Sequence, residues 1–543
     1  MKKLTLTVAP ALAGAAIFCL TTANADEGRD HSEHLILSRT VYDNNAANVR
    51  VGTVLPPNCA ATTGGCGAPS GAPYDGTYPT VWNNDIYDAS FGITSKIFLD
   101  EITTSGERIN TLEVPSSGGP HGNRDHLVTS FSSKSELALN RSLDGRFITF
   151  MGYVAPVDTI DVSNSNTPGA NDPTNPVGQA FYRAVARLDA FGRFDFTLSN
   201  AYSGNNGRAA ILDDSNGQDV IYTAGNAGNG ANPQPDGIIL GAGTQFLKPA
   251  FAPETAQAVG TPSPLASFSV TELGAKADKI GKDDNYRGLT IFNDVVYLTK
   301  GSGSNGVNTV YFVDTTGGAC PNGVGLPAAH AKLPLNPLSY DPTLLQTQGL
   351  PSNMCILAGF PTTPNKSATT TAFPFGLWFA DAKTLYVADE GDGYTGGSDL
   401  YAHATGQTSA GLQKWVLEAA SNSWHLAYTL SAGLDLGVPY SVPHYPSGDN
   451  TATGLPWAPA SDGLRNITGH VEADGTVTIY AITSTISGNG DTGADPNRLV
   501  SVRDSLWNTD PSKAGRFQTL RTASFGEALR GISFAPRASY SRD

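Results

Sequence analysis

Apolar and polar residues alternate at a period of two through much of this chain, in short runs broken by Asp, Asn and Gly. Leu143-Asp-Gly-Arg-Phe-Ile-Thr-Phe150 is one such run, and Asp474-Gly-Thr-Val-Thr-Ile-Tyr480 is another. A period of two places alternate side chains on opposite faces of an extended strand, and Asp-Gly between two such runs is a hairpin signal. Helical spacing of apolar residues is scarce. The predicted elements are therefore many short antiparallel strands joined by tight turns and by longer Gly/Pro/Ser/Asn-rich excursions. Residues 56–79, 163–179, 225–237, 318–352 and 439–462 are of the latter kind. Strand patterns resume on both sides of each excursion, so they read as loops of one unit rather than linkers between domains.

The strand pattern repeats. A first strand opens on Glu136-Leu-Ala-Leu, Arg208-Ala-Ala-Ile, Arg287-Gly-Leu-Thr-Ile, Phe375-Gly-Leu-Trp-Phe, Arg465-Asn-Ile-Thr and Arg530-Gly-Ile-Ser-Phe. In each of the first five copies a turn and a second strand follow. The copy at Arg530 stops after its first strand. A strand left over at one chain end is accounted for if it completes a sheet begun at the other, near 35–41, 96–102 and 108–114. The predicted fold is all-β, a β-propeller of six blades closed by pairing of N- and C-terminal strands. The count becomes seven if residues 248–273 hold a degenerate blade. Residues 26–543 then form a single propeller domain with long surface loops.

This repeat shape resembles the broad group of secreted six- and seven-bladed propellers that includes lactonases, esterase-like phytases, phosphatases and sugar dehydrogenases. The resemblance spans nearly the whole chain and implies the fold. The sequence holds no WD, Kelch or Asp-box signature, so no catalytic residue is carried over from those proteins.

The N-terminus adds a compartment. Lys2 and Lys3 precede an apolar run from Leu4 to Leu20, and Ala23-Asn-Ala25 stands before Asp26. That order of charge, apolar stretch and small-x-small site reads as a secretory signal cleaved after Ala25, giving a periplasmic or extracellular protein. Later stretches fall short of the roughly 20 apolar residues of a membrane span. Cys19 leaves with the signal. Cys59, Cys66, Cys320 and Cys355 remain, an even number for an oxidising compartment. Three pairings are open; Cys59 with Cys66 and Cys320 with Cys355 is the simplest. A metal site is disfavoured because no CxxC spacing is present.

Charge narrows the partners. The formal net charge is −15, with 34 Lys and Arg against 49 Asp and Glu, a field that repels polyanions and argues against nucleic acid. Yet four of the six residues opening the first strands, Arg208, Arg287, Arg465 and Arg530, are arginine, with Glu136 and Phe375 at the other two. In a propeller these positions ring the central tunnel. Guanidinium forks clustered there suit a small anionic ligand, while the alternative is that each arginine is structural, bonded to carbonyls of the next blade.

Two loop clusters add candidate chemistry. Asp389, Glu390 and Asp392 lie on a Gly-rich loop and offer hard oxygen ligands for calcium, or are solvated turn acids. His121, Asp125 and His126 precede the second blade and are the candidates for general acid–base work. Serine-hydrolase and phosphate-loop motifs are absent. The functional expectation is a hydrolase or lyase acting on a small anion, such as a phosphate, carboxylate or lactone, at an Arg-lined mouth. The alternative is a non-catalytic propeller scaffold that binds a ligand or protein. A quinone-dependent dehydrogenase lacks its tryptophan-docking repeats. A monomer is expected.

Overall fold

The computed structural model describes residues 34–42, 93–117, 126–159, 162–170, 178–215, 217, 219–226, 243–250, 263–268, 270–275, 285–302, 306–338, 353–368, 372–394, 396–450, 454–488 and 492–537. The chain begins with β1 (Leu35–Val41), β2 (Thr94–Ile102) and β3 (Arg108–Glu113), with the two-residue β4 (Thr129–Ser130) pairing on β2. These strands make a sheet without an inner strand.

Five further sheets follow in chain order. The second blade is β5 (Asn140–Arg141), β6 (Phe147–Tyr153), β7 (Arg183–Asp189) and β8 (Phe194–Ser199). The third is β9 (Gly207–Asp213), β10 (Val220–Gly225) and β11 (Thr244–Leu247). The fourth comprises β12 (Leu289–Phe292), β13 (Val295–Lys300), β14 (Thr309–Val313), β15 (Val324–Gly325) and β16 (Met354–Leu357), with β16 lying between β14 and β15. The fifth is β17 (Pro374–Asp381), β18 (Thr384–Asp389), β19 (Gly411–Glu418) and β20 (Ser423–Leu430). The sixth is β21 (Ala460–Val471), β22 (Thr476–Ile486), β23 (Arg498–Ser505) and β24 (Gln518–Thr522).

The last strand, β25 (Glu527–Phe534), pairs antiparallel with β1, Leu35 opposite Phe534 and Arg39 opposite Leu529. It completes the first blade in the order β25-β1-β2-β3. The first strands of the blades touch in a closed cycle, β5 to β9, β12, β17, β21, β25 and back to β5. The molecule is thus a six-bladed β-propeller, closed as the sequence predicts. Within 248–273, the described residues hold an isolated bridge at Pro264 and a short 3-10 turn, Val270–Leu273, rather than a seventh blade.

An ion-pair latch sits on the closure. Arg39 on β1 donates through Nε to Asp100 of β2 at 3.0 Å and through Nη1 to Glu527 of β25 at 2.6 Å. Apolar side chains from facing blades fill the gaps between sheets. Leu35, Leu37 and Ile532 of the first blade meet Ile482 and Leu499 of the sixth, and Val477, Ile479 and Val502 of the sixth meet Tyr386 and Leu412 of the fifth. A chain that buries this much surface between sheets excludes water without needing helices. Among the described residues the one α-helix is short, Leu400–Thr405, and no helix is long and apolar enough to cross a membrane.

Cys320 and Cys355 form a disulfide with Cα atoms 5.9 Å apart, tying the β15 side of the fourth blade to β16. Cys59 and Cys66 lie outside the described residues.

Candidate functional site

Close packing of first strands around the axis sets the geometry of the hub. A Cβ added to Gly288 would stand 2.1 Å from the Phe375 carbonyl of the next blade, and one on Gly376 would stand 2.5 Å from the Arg465 carbonyl. Asn466 continues the series by donating through Nδ2 to the Arg530 carbonyl at 2.8 Å, and a Cβ on Gly531 would meet the Leu137 carbonyl at 2.2 Å. The small residue that follows each ring position is therefore the point where neighbouring blades touch backbone to backbone. By this register the ring position of the second blade is Leu137, whose φ of 61° turns the chain, and Glu136 stands one residue before it.

Glu136 nevertheless takes part through its carboxylate, which is fully buried. It accepts from Thr129 Oγ1 at 2.6 Å, from Ser130 N at 3.0 Å, from Asn206 Nδ2 at 3.3 Å and from the Tyr153 hydroxyl.

The four ring arginines are all buried, and their donors are used very unequally. Arg208 donates through Nε to Asn206 at 3.1 Å and through Nη1 to the Tyr286 carbonyl at 2.7 Å and to the Asn285 side chain. Arg530 donates through Nη2 to the carbonyls of Gly493, at 2.7 Å, and Phe131. Arg287 holds Ser302 Oγ and lies over the Phe375 ring, 5.7 Å from its centroid. Arg465 donates only through Nε, to Glu390 Oε2 at 3.3 Å; its two Nη groups donate to no protein atom among the described residues.

A fifth buried arginine, Arg183 at the start of β7, shows what a purely structural role looks like here. Its Nε and both Nη groups are filled by the Ser163, Ser165, Phe181 and Asn205 carbonyls and by Ser165 Oγ. It opens the third strand of its blade, away from the first-strand positions that the repeat marks.

Glu390 is the anionic centre of the hub. It follows β18, lies 3.1 Å from Lys134 Nζ and is paired with Arg465. Burial alone would raise its pKa, but the charges of Lys134, Arg287 and Arg465 outweigh that and hold it down to about 2. Arg208 shows the reverse: burial first, then the Arg287 charge, pull its pKa well below the ordinary arginine value, although Glu136 and Glu390 oppose this. Lys134, Arg208, Arg287, Arg465 and Arg530 thus stand with two strongly engaged carboxylates, Glu136 and Glu390.

Two further acids border this cluster. Asp462, three residues before Arg465, is pushed up to about 7 by burial and by the Asp392 and Glu390 charges, against hydrogen bonds from Gly393 N at 3.0 Å and the Gln407 amide. Asp389 is pushed up to about 7 by burial, while Phe373 N at 2.8 Å, Gly391 N at 3.0 Å and Gln413 Nε2 at 3.1 Å donate to it. Lys134 and Asp462 carry no motif; the one local signal is that each lies within three residues of a first-strand opening.

The carboxylates weighed as calcium ligands are directed to three different partners. Asp389 takes the backbone and amide donors above, Glu390 takes Lys134 and Arg465, and Asp392 pairs with His403 Nε2 at 2.6 Å. Among the described residues these three do not share a point from which their oxygens lie within 4.8 Å of one another. Asp314 does lie that close to Cys320 and Cys355, but those sulfurs are joined to each other and Asp314 accepts from Thr316 N, Gly317 N and Ala319 N.

His126 is buried, with Nε2 3.2 Å from the Ala155 carbonyl. Its segment runs past Val128, which bridges to Tyr153, the residue bonded to Glu136. His121 and Asp125 lie outside the described residues.

No family model matches this chain, and no curated protein matches it. Among solved structures it is similar to a polysaccharide lyase of family PL25, an ulvan lyase bound to a GlcA(1-4)Rha3S unit, at 11% identity, 81% of this chain, 90% of that chain and a TM-score of 0.31. It is also similar to a glycoside hydrolase family 43 arabinoxylan arabinofuranohydrolase from Bacillus subtilis in complex with cellotetraose, at 11% identity, 82% of this chain, 88% of that chain and a TM-score of 0.23. At these scores no residue role passes from either protein to this one.

Proposed function

We propose that this protein binds a small oxyanion-bearing molecule at the arginine-lined mouth of its central tunnel and acts on it as a hydrolase or lyase. The observation that carries the reading is the contrast between Arg183, whose donors are all filled by protein, and Arg465, whose Nη pair is not. Two idle donors on a guanidinium held in place by Glu390 can take a bound carboxylate or phosphate through two parallel hydrogen bonds. Arg208, Arg287 and Arg465 come from the third, fourth and sixth blades, and Glu390 interacts with the charge of each.

In this reading Glu390 orients Arg465 and tempers the positive charge so that the anion can leave. Proton transfer is assigned to the His121, Asp125 and His126 segment, with Asp462 as a protonated acid available near neutrality. Calcium on Asp389, Glu390 and Asp392 is not needed for any of these roles. Export to the periplasm or beyond, with residues 1–25 as the signal, agrees with the Cys320–Cys355 bond. A non-catalytic binding propeller is the second reading, favoured by the engagement of His126 with the Ala155 carbonyl.

The test is calorimetric titration with phosphate and a uronate, together with a turnover screen of phosphate esters, lactones and uronates. Arg287→Ala and Arg465→Ala should each weaken anion binding by about tenfold or more with the fold retained. Equal loss of thermal stability in both variants with unchanged affinity would return the arginines to a structural role. Binding without turnover on any of these substrates would favour the scaffold.

A further inference from the structure

The sixth blade buries one face and leaves part of the other open. Val477, Ile479, Val500, Val502 and Phe517 point toward the fifth blade and are buried there. On the opposite face, toward the first blade, the upper rows Ile482 and Leu499 are buried against Leu35, Leu37 and Ile102. Below them Tyr480 is still buried, its ring edge-on to Phe534, but the neighbouring rows turn polar: Thr478 is paired across strands with Arg503, and Ser501 lies between Tyr480 and Gln518. A face that packs against a neighbouring blade is ordinarily apolar throughout, because buried polar groups need partners.

These polar rows line a cleft of about 570 Å³, capped by Thr104 and Ser105 from the turn between β2 and β3. Arg516 borders the same cleft, its loop held to β23 by Gly515 N donating to the Arg503 carbonyl at 2.8 Å. Neither the Arg503 nor the Arg516 guanidinium makes a hydrogen bond or ion pair with the protein among the described residues. Burial raises the pKa of the Tyr480 hydroxyl, while its hydrogen bond with Thr104 and the charge of Arg503 act the other way. In a chain of net charge −15, two unengaged arginines in one hydroxyl-lined cleft are a local reversal of the overall field.

We propose that this cleft is a second binding site, separate from the hub, for an oxyanion carried by a small polar molecule. The anion would lie between the Arg503 and Arg516 forks, and Thr478 and Ser501 would contact its oxygens or neighbouring hydroxyl groups. The chemistry is shared by carboxylate, sulfate and phosphate, so the test uses glucuronate, sulfate and inorganic phosphate as separate probes.

Calorimetric titration of the full chain at about 10 mM ionic strength, where screening is weak, should resolve a binding component that the Arg503→Ala/Arg516→Ala double variant weakens by about tenfold or more. Both side chains are exposed, so the melting temperature of the variant should match that of the parent. Arg503→Lys/Arg516→Lys should give intermediate affinity, since charge is kept and the fork is lost. The probe with the tightest component names the oxyanion.

Identical isotherms for the parent and the double alanine variant with all three probes would overturn the cleft site. If Arg465→Ala then abolished all binding, the hub reading would stand alone. Loss of binding in the cleft variant with no effect of Arg465→Ala would support the cleft and sink the hub. A parent chain that takes up none of the three overturns both.

Discussion

The four ring arginines and Arg183 are all buried, and what separates them is how many donors the protein itself fills. Arg183 and Arg465 are the extremes, and Glu390 is the residue on which the second depends. Its carboxyl is held at about 2 against an ordinary value of 4.5, so the fold favours the ionised form. The contribution to stability is therefore complete above about pH 4.5 and is lost as pH falls toward 2; a shift of this size corresponds to about 3 kcal/mol. Glu390→Gln should cost about that much at pH 7 by leaving the Lys134 and Arg465 charges uncompensated. Denaturant unfolding at pH 7 and at pH 2.5 tests it: the gap between parent and variant should shrink at the lower pH. A gap of the same size at both would assign the loss to shape rather than charge.

Between elements, the controlling feature is the backbone contact at the small residue after each ring position. Gly288 lies against the Phe375 carbonyl and Gly376 against the Arg465 carbonyl, so a single methyl there pushes two blades apart at their narrowest point. Gly288→Ala should destabilise the protein by about 3 kcal/mol or more, above the usual range for core overpacking, because backbone rather than a side chain must yield. By contrast Gly178→Ala, where an added Cβ meets nothing within 4 Å, should leave the unfolding midpoint within about 0.5 kcal/mol of the parent. Equal behaviour of the two variants would show that the hub is looser than the first-strand contacts imply.

At the scale of the whole molecule, stability rests on closure. The first blade draws its inner strand from the end of the chain, and Arg39 ties that strand to β1 and β2 through Glu527 and Asp100. Ending the chain after Ala523 removes β25 and uncovers Leu35 and Leu37. Such a truncation should lose the single cooperative unfolding transition and expose apolar surface to a hydrophobic dye, since an open ring has an unpaired strand edge. Retention of one sharp transition at the parent temperature would mean that five complete blades and a first blade without its inner strand hold together without the latch.

Much of this was legible along the chain. Alternation and Asp-Gly turns give the strands, the repeat of an Arg or Phe before a small residue gives the blades, and the unfinished copy at Arg530 gives the closing strand, because these signals are local or periodic. The pairing of Cys320 with Cys355 belonged to the simplest of the three arrangements that parity left open, and the structure selects it. Other features had no such signal. Glu390 meets Arg465 across 75 residues and two blades, Lys134 joins them from a third, and Leu137 rather than Glu136 occupies the ring register. The sequence by itself determined that the chain alternates, repeats and closes. Only the tertiary structure decided which charges meet, which arginine keeps idle donors and which blade face stays polar, because those depend on distances between segments that no local pattern encodes and on burial that only the assembled ring creates.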